Sequence, residues 1–341
     1  MNRFCLQVPP EGIPEEEARR RWLWLGWAYA ALTAVMVVAT FGLQFAVVLL
    51  CPAYATAWWM NWVLSLLPLY GVGLPALLFL LKFVPKAPHN ATYHTRDGRL
   101  LPKPSFGVGR WLILLCMGFG CLYLGGLLGN LTMLVLSAVT GYDYTSGLNT
   151  LVESSPWWMT VLGACVIAPL GEELIFRKLL IDRTRPFGDG VSILVSGLLF
   201  ALFHGNLFQF FYAFLVGVLL AYVYTRSGSY LWCALMHAVI NLFGSVIIPA
   251  LTRLLPETGI PATVPQLLLV LALAVWQYGL IIAAAVLFFT LLSKRKLSRG
   301  IRPLTTLDAR RLLILNPGMI ACVLVMLLLL LSNLLMPLIP L

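Results

Sequence analysis

Three short motifs carry side chains whose types and spacing suit hydrolysis, although apolar residues surround them. Their members are Glu172, Glu173 and Arg177, then Phe200 and His204, then His237 and Asn241. Residues four apart in a helix share a face, whereas successive residues point about 100° apart. We therefore predict that Glu173 pairs with Arg177 and that Glu172 faces a cavity. The second and third motifs likewise place their two members on one helix face each.

Together these groups suit the activation of water. A carboxylate in a poorly solvated site is a stronger base than one in water. Glu172 could therefore take a proton from a water molecule that His204 holds or polarises. His237 and Asn241 could donate hydrogen bonds to the oxyanion that forms when a peptide carbonyl becomes tetrahedral. This chemistry needs no serine or cysteine nucleophile.

The free-energy cost of burying charge supports a functional role for these motifs. An ionisable side chain inside a membrane costs roughly 2.5–3.5 kcal/mol on insertion scales. Of the 13 acidic residues in the sequence, only Glu172 and Glu173 fall within a predicted membrane span. We interpret a concentration of such groups between residues 172 and 241 as a functional site.

The residues of each motif could also have a purely structural role. Arg177 could anchor a helix end, and His204 could lie at the outer membrane interface. His237 and Asn241 could be interhelical hydrogen-bonding groups, worth about 0.6 kcal/mol per contact. Adjacent acids within a span offer little to packing, however. For the set as a whole, we therefore favour the functional interpretation.

The composition is that of a membrane protein. Of 341 residues, 60% are hydrophobic and 11% charged, and the mean hydropathy is +0.91. A soluble domain carries roughly 25% charged residues, so lipid must be the main solvent. The net charge of +10 is distributed as expected for contact with a membrane surface. We predict the lipid bilayer as a partner and no nucleic acid.

Apolar runs predict an all-α, polytopic transmembrane bundle of about nine spans, with eight possible. A span needs about 20 apolar residues. The predicted spans are 22–50, 57–81, 111–139, 157–181, 190–205, 207–225, 229–250, 267–292 and 318–339. The fifth is short, and its boundary with the sixth, at Gly205 and Asn206, is the least defined.

Basic residues predict the orientation. If the N-terminus is cytoplasmic, the nine spans place successive loops on alternate sides of the membrane. All lysines and arginines except Arg253 then lie on the cytoplasmic side, as the positive-inside rule favours. The predicted divisions are a cytoplasmic segment 1–21, N-terminal transmembrane helices 22–149, a catalytic core 150–250 and C-terminal transmembrane helices 251–341.

The three motifs resemble those of a known family. The sequence from Glu172 to Arg177 matches E-E-x-x-x-R, Phe200 to His204 matches F-x-x-x-H, and His237 to Asn241 matches H-x-x-x-N. In this order, over roughly residues 150–245, they are similar to the CPBP family. That family contains CAAX-processing type II endopeptidases and Abi proteins of bacteriocin processing or self-immunity.

The resemblance implies an intramembrane, glutamate-dependent endopeptidase. Glu172 and His204 would be catalytic, and His237 with Asn241 would form the oxyanion hole. Glu173, Arg177 and Phe200 would support them. The implied substrate is a peptide or a lipid-modified protein; CAAX members remove the last three residues after a prenylated cysteine.

Several alternatives remain open at this point. We predict no metal site, but a zinc-dependent variant of the same protease is an alternative, because two histidines and a glutamate can bind zinc. Others are a non-proteolytic scaffold or bacteriocin self-immunity protein, and a proton-coupled transporter. We expect an integral protein of a bacterial plasma membrane, with its site nearer the cytoplasmic face.

Overall fold

The computed structural model describes residues 13–86, 106–142, 144, 155–255, 262–293 and 297–335. The principal helices within them are α1 (Glu15–Leu50), α2 (Trp58–Phe83), α3 (Val108–Thr140), α4 (Trp157–Phe187), α5 (Asp189–Phe203), α6 (Leu207–Ser227), α7 (Tyr230–Thr252), α8 (Val264–Leu292) and α9 (Pro317–Leu335). No β-strand occurs in these ranges. The all-α, polytopic fold predicted from the sequence is confirmed.

Eight of these helices, all except α5, are long and apolar enough to cross a membrane. The chain is therefore an integral membrane protein. Helix α5 has 15 residues and is about 22 Å long, shorter than a ~30 Å hydrocarbon core. Nine apolar segments thus give eight potential spans and one short helix.

Two helices extend beyond their predicted boundaries. Helix α1 begins at Glu15 rather than residue 22, and α4 continues to Phe187 rather than ending at 181. Some residues that the sequence places on the cytoplasmic side lie outside the described residues, namely Arg3, Arg96, Arg99, Lys103 and residues 294–296. The end of the ninth predicted span, at residue 339, also lies outside them.

Helix α6 lies at the centre of the bundle. Of its most apolar stretch, 56% is buried, compared with 0% for α8, which lies at the edge. Helix α6 packs against α3 on one side and α5 on another, while α7 packs against α4. One apolar cluster joins α1, α2, α4, α5 and α9, and a second joins α3, α6 and α7. The site described below lies where these clusters meet.

Two acidic residues predicted to lie in loops are buried in helices. Asp182 accepts a 2.6 Å hydrogen bond from the Tyr224 hydroxyl and pairs with Lys178 at 3.1 Å. Asp189, 1% exposed, pairs with Arg185 at 3.2 Å. The prediction that only two acids lie within apolar helices is therefore wrong. Polar partners on α4 and α6 stabilise these two carboxylates. A hydropathy window registers only their charge and therefore assigns both residues to loops.

Candidate active site

Helix α4 changes its hydrogen-bond register just before the two glutamates. The Ala168 N–H donates to the Gly163 carbonyl, five residues back. The next donor in this register would be residue 169, but Pro169 has no N–H, so the Ala164 carbonyl lacks a donor from its own helix. The Asn241 amide supplies one from α7, at 2.8 Å. Wide turns of this kind are frequent at functional sites.

Glu173 is fully buried and has two partners. Its Oε2 atom lies 2.8 Å from Arg177 Nε. Its Oε1 atom lies 3.0 Å from Nδ1 of His237. A carboxylate accepts hydrogen bonds, so Nδ1 carries the proton. The predicted pair with Arg177 is present; the contact with His237 is one that helical spacing does not reveal.

Arg177 is also fully buried and binds more than Glu173. Its Nη1 donates to the Ser196 hydroxyl at 2.8 Å, and that hydroxyl donates to the Phe176 carbonyl at 2.7 Å. Its guanidinium carbon lies 4.7 Å from the centre of the Phe200 ring, within the range of a cation–π contact. These contacts join α4 to α5 directly behind the glutamates.

The ring of Phe200 connects the two histidines. It packs edge-on against His204, with ring centres 4.6 Å apart, and against His237, at 5.7 Å. Phe200 is 2% exposed. One residue from each motif, namely Arg177, His204 and His237, therefore packs against this buried aromatic ring.

His204 lies immediately after the last residue of α5. Its Nδ1 is 2.7 Å from the Phe200 carbonyl, which can only accept, so Nδ1 donates and the neutral ring has a lone pair at Nε2. Gly205, with φ of +59°, then turns the chain into α6. Asn333 of α9 donates to the Gly205 carbonyl at 2.9 Å, which fixes the turn that carries His204.

Glu172 lines a cavity of about 260 Å³ together with His204, His237 and Asn241. This volume accommodates several water molecules, each taking ~30 Å³ in the liquid. Glu172 Oε2 lies 3.9 Å from His237 Nε2, too far for a direct hydrogen bond. A water molecule about 2.8 Å from both atoms fits between them. The cavity therefore offers a place where a carboxylate and an imidazole can share one water.

Other lining residues come from elements that the motifs do not include. Helix α2 contributes Trp62 and Tyr70, which approach α4 closely at two glycines. A Cβ atom added to Gly163 would lie 2.1 Å from the Trp62 ring, and one added to Gly171 would lie 2.2 Å from Tyr70. Helix α6 contributes Gln209, Tyr212, Ala213 and Val216. Both approaches are possible because Gly163 and Gly171 carry no Cβ atom.

A metal site needs several ligating side chains grouped around one point. Within the described part of the chain, no group of three or more His, Cys, Asp and Glu side chains is arranged to hold a metal ion. One oxygen of Glu173 and Nδ1 of His237 already contact each other.

Comparison with known proteins agrees with the motifs. Residues 154–243 match the family model described as type II CAAX prenyl endopeptidase Rce1-like, and this range contains all seven motif residues. This part of the chain, termed the Rce1-like segment, is similar to that family. The predicted resemblance to CAAX-processing endopeptidases is confirmed. The Rce1-like segment comprises α4, α5, α6 and most of α7.

The chain is also similar to the UPF0177 protein YxdF of Lactococcus lactis subsp. lactis. The two are 28% identical over 126 residues, which is 36% of this chain and 68% of the relative. No solved structure matches the chain significantly. Helices α1–α3, α8 and α9 lie outside the Rce1-like segment, although α2 forms part of the cavity wall.

Proposed function

We propose that the protein is an intramembrane endopeptidase in which Glu172 activates a water molecule. The observation that carries this proposal is the 3.9 Å gap between Glu172 and His237 inside a cavity large enough for water. The neighbouring Glu173 is fully buried against Arg177 and His237, so Glu172 is the carboxylate available to water. The Rce1-like match supports an endopeptidase reaction.

The reaction follows from these positions. As the water oxygen bonds to the peptide carbonyl carbon, Glu172 accepts a water proton and the carbonyl electrons move to oxygen. His204, with its Nε2 lone pair, orients the water. When the tetrahedral intermediate collapses, the C–N bond breaks and the departing nitrogen takes the proton from Glu172. The products are a new carboxyl group and a new amine.

Asn241 and His237 stabilise the oxyanion. The Asn241 amide carries two hydrogens; one binds Ala164 and the other is free to donate. His237 donates from Nε2 only as the imidazolium. In this proposal His237 acts in that form, with Nδ1 bound to Glu173.

The substrate is proposed to be a peptide or a lipid-modified protein that reaches the cavity from the bilayer. Helix α2 supplies an apolar wall with Trp62, Leu66 and Leu69. A site nearer the cytoplasmic face follows from the basic residues when α5 and α6 are counted as two crossings, as in the predicted nine-span alternation. Similarity to a bacterial protein supports a bacterial plasma membrane as the location.

A peptide library tests the proposal. The purified protein in lipid nanodiscs is incubated with randomised decapeptides, half of which carry an S-farnesyl cysteine four residues from the C-terminus. Mass spectrometry identifies new termini. We expect cleavage by the wild-type protein and none by a folded Glu172→Ala variant. Equal products from both proteins, or no cleavage of either half of the library, would contradict proteolysis and favour a scaffold that binds peptides.

A further inference from the structure

One wall of the cavity is a stripe along α6. Gln209, Tyr212, Ala213 and Val216 all line it, at the i, i+3, i+4 and i+7 spacing of a single helix face. The polar side chains of Gln209 and Tyr212 lie in the first turn of this stripe. The small apolar side chains of Ala213 and Val216 lie in the second. Since α6 starts three residues after His204, the polar end of the stripe is the end nearer His204.

Gln209 differs from the other polar groups of this wall in its burial. It is 8% exposed, and its side chain faces the cavity. Among the residues that the structure describes, none makes a hydrogen bond with its carboxamide; only its backbone N–H is bound, by the Asn206 side chain at 3.3 Å. A carboxamide that lines a cavity without a partner from the chain must bind water or a ligand there, because leaving it unsatisfied is costly. A partner from outside the chain accounts for its presence.

The position of Gln209 is fixed independently of any ligand. The Asn206 side chain caps α6 by accepting from the backbone of Phe208 at 2.9 Å as well as from Gln209. The Tyr212 backbone of the next turn lies against Gly125 of α3, where an added Cβ would come within 2.3 Å. The first turn of α6 is therefore held in place, and the carboxamide is presented to the cavity by a rigid element.

We propose that Gln209 binds the main chain of the peptide substrate next to the bond that is cut. A carboxamide has both a donor and an acceptor, the same complement as a peptide group, so it can pair with a main-chain N–H and C=O. Such contacts hold a chain in register without regard to its side chains. This role rests on the proposed endopeptidase function, but it concerns binding, whereas Glu172 concerns the chemical step.

A second wall of the cavity, on α2, is suited to the side chains of a bound peptide. On α2, Trp62, Ser65, Leu66 and Leu69 line the cavity at the same helical spacing. The Ser65 hydroxyl is already bound to the Asn61 carbonyl at 2.7 Å, so this wall is mainly apolar. A peptide between the walls would have its backbone on α6 and apolar side chains on α2.

Ester substitution tests the role of Gln209. The probe is the library decapeptide that the wild-type protein cleaves fastest, made also as a series in which one peptide N–H near the cut is replaced by an ester oxygen. KM and kcat are measured for the wild type, Gln209→Met, and Gln44→Met. The last is the matched control, because Gln44 is an exposed glutamine of α1. Gln209→Ala provides the same comparison if the methionine variant does not fold.

In the wild type, we expect one ester position to raise KM by about tenfold, the effect of one lost hydrogen bond. Gln209→Met should raise KM by a similar factor on the all-amide peptide. The ester at that position should then raise the KM of this variant no further. Gln44→Met should behave as wild type. The inference is overturned if Gln209→Met has wild-type KM, or if every ester affects both proteins equally. Glu172-dependent cleavage would survive that result, so the two proposals fail separately.

Discussion

Nδ1 of His237 lies 3.0 Å from Oε1 of Glu173, and this contact gives the two adjacent glutamates different environments. Glu173 is enclosed by Arg177 and His237, with no exposed surface. Glu172, about 100° away around the helix, faces the cavity. Glu173 thereby orients the His237 ring, with Nε2 on the side of Glu172.

Arg177→Met should destabilise the protein severely. It leaves the Glu173 carboxylate buried without its guanidinium and removes the contacts with Ser196 and Phe200. Breaking a buried pair from one side costs about 3–5 kcal/mol, measurable as the free energy of unfolding in SDS titrations.

The exposed pair on α1 is the control for this prediction. Arg20 lies 2.6 Å from Glu17, and its side chain is 64% exposed. Arg20→Met should change the unfolding free energy by less than about 1 kcal/mol. Comparable losses in the two variants would mean that burial does not govern the Arg177 pair.

Asn241→Ala should lower kcat by roughly 10²–10³-fold, as expected for one lost oxyanion donor, with a smaller change in KM. The same substitution leaves the Ala164 carbonyl without its donor, so unfolding is measured alongside. Asn61→Ala, at an exposed asparagine of α2, should leave kcat unchanged. A normal kcat in folded Asn241→Ala would remove Asn241 from the oxyanion hole.

Asn333→Leu should reduce cleavage although Asn333 is outside the cavity lining. Its hydrogen bond to Gly205 fixes the turn after His204, and misplacement of a catalytic group by about 1 Å can cost up to 10²-fold in rate. Ser332→Ala is the matched control, because that hydroxyl bonds only within α9, to Leu329. Equal kcat values for the two variants would show that α9 does not position His204.

Cleavage should not require a metal ion. The Arg177 guanidinium beside Glu173 repels a divalent cation, and Nδ1 of His237 is bound to the same carboxylate. We expect 1,10-phenanthroline to leave the rate within about twofold of the untreated protein. Loss of activity that returns on adding Zn²⁺ would favour the metal-dependent alternative.

Local pattern was enough to predict much of this molecule. Apolar length predicted the helices, because each helix must satisfy its own backbone hydrogen bonds in lipid. Four-residue spacing predicted the pair of Glu173 and Arg177. The short fifth segment was also recognised, although it ends within the bundle rather than forming a full span.

Contacts between distant segments could not be predicted in this way. The bond from His237 to Glu173 and the bond from Asn333 to Gly205 depend on how helices pack, which spacing along one helix does not encode. Asp182 was placed in a loop because hydropathy does not register its partner Tyr224 on α6. Gln209 was overlooked since a single glutamine in an apolar helix carries no motif.

The most direct test of the division between the two glutamates is kcat of Glu172→Gln, measured in nanodiscs on the cleaved decapeptide and compared with Glu173→Gln. Because Glu172, unlike Glu173, lines the cavity, we expect kcat of Glu172→Gln to fall by about 10²–10⁴-fold while its unfolding free energy stays at the wild-type value. Glu173→Gln should mainly lose stability. Wild-type kcat in folded Glu172→Gln would contradict a glutamate-activated water.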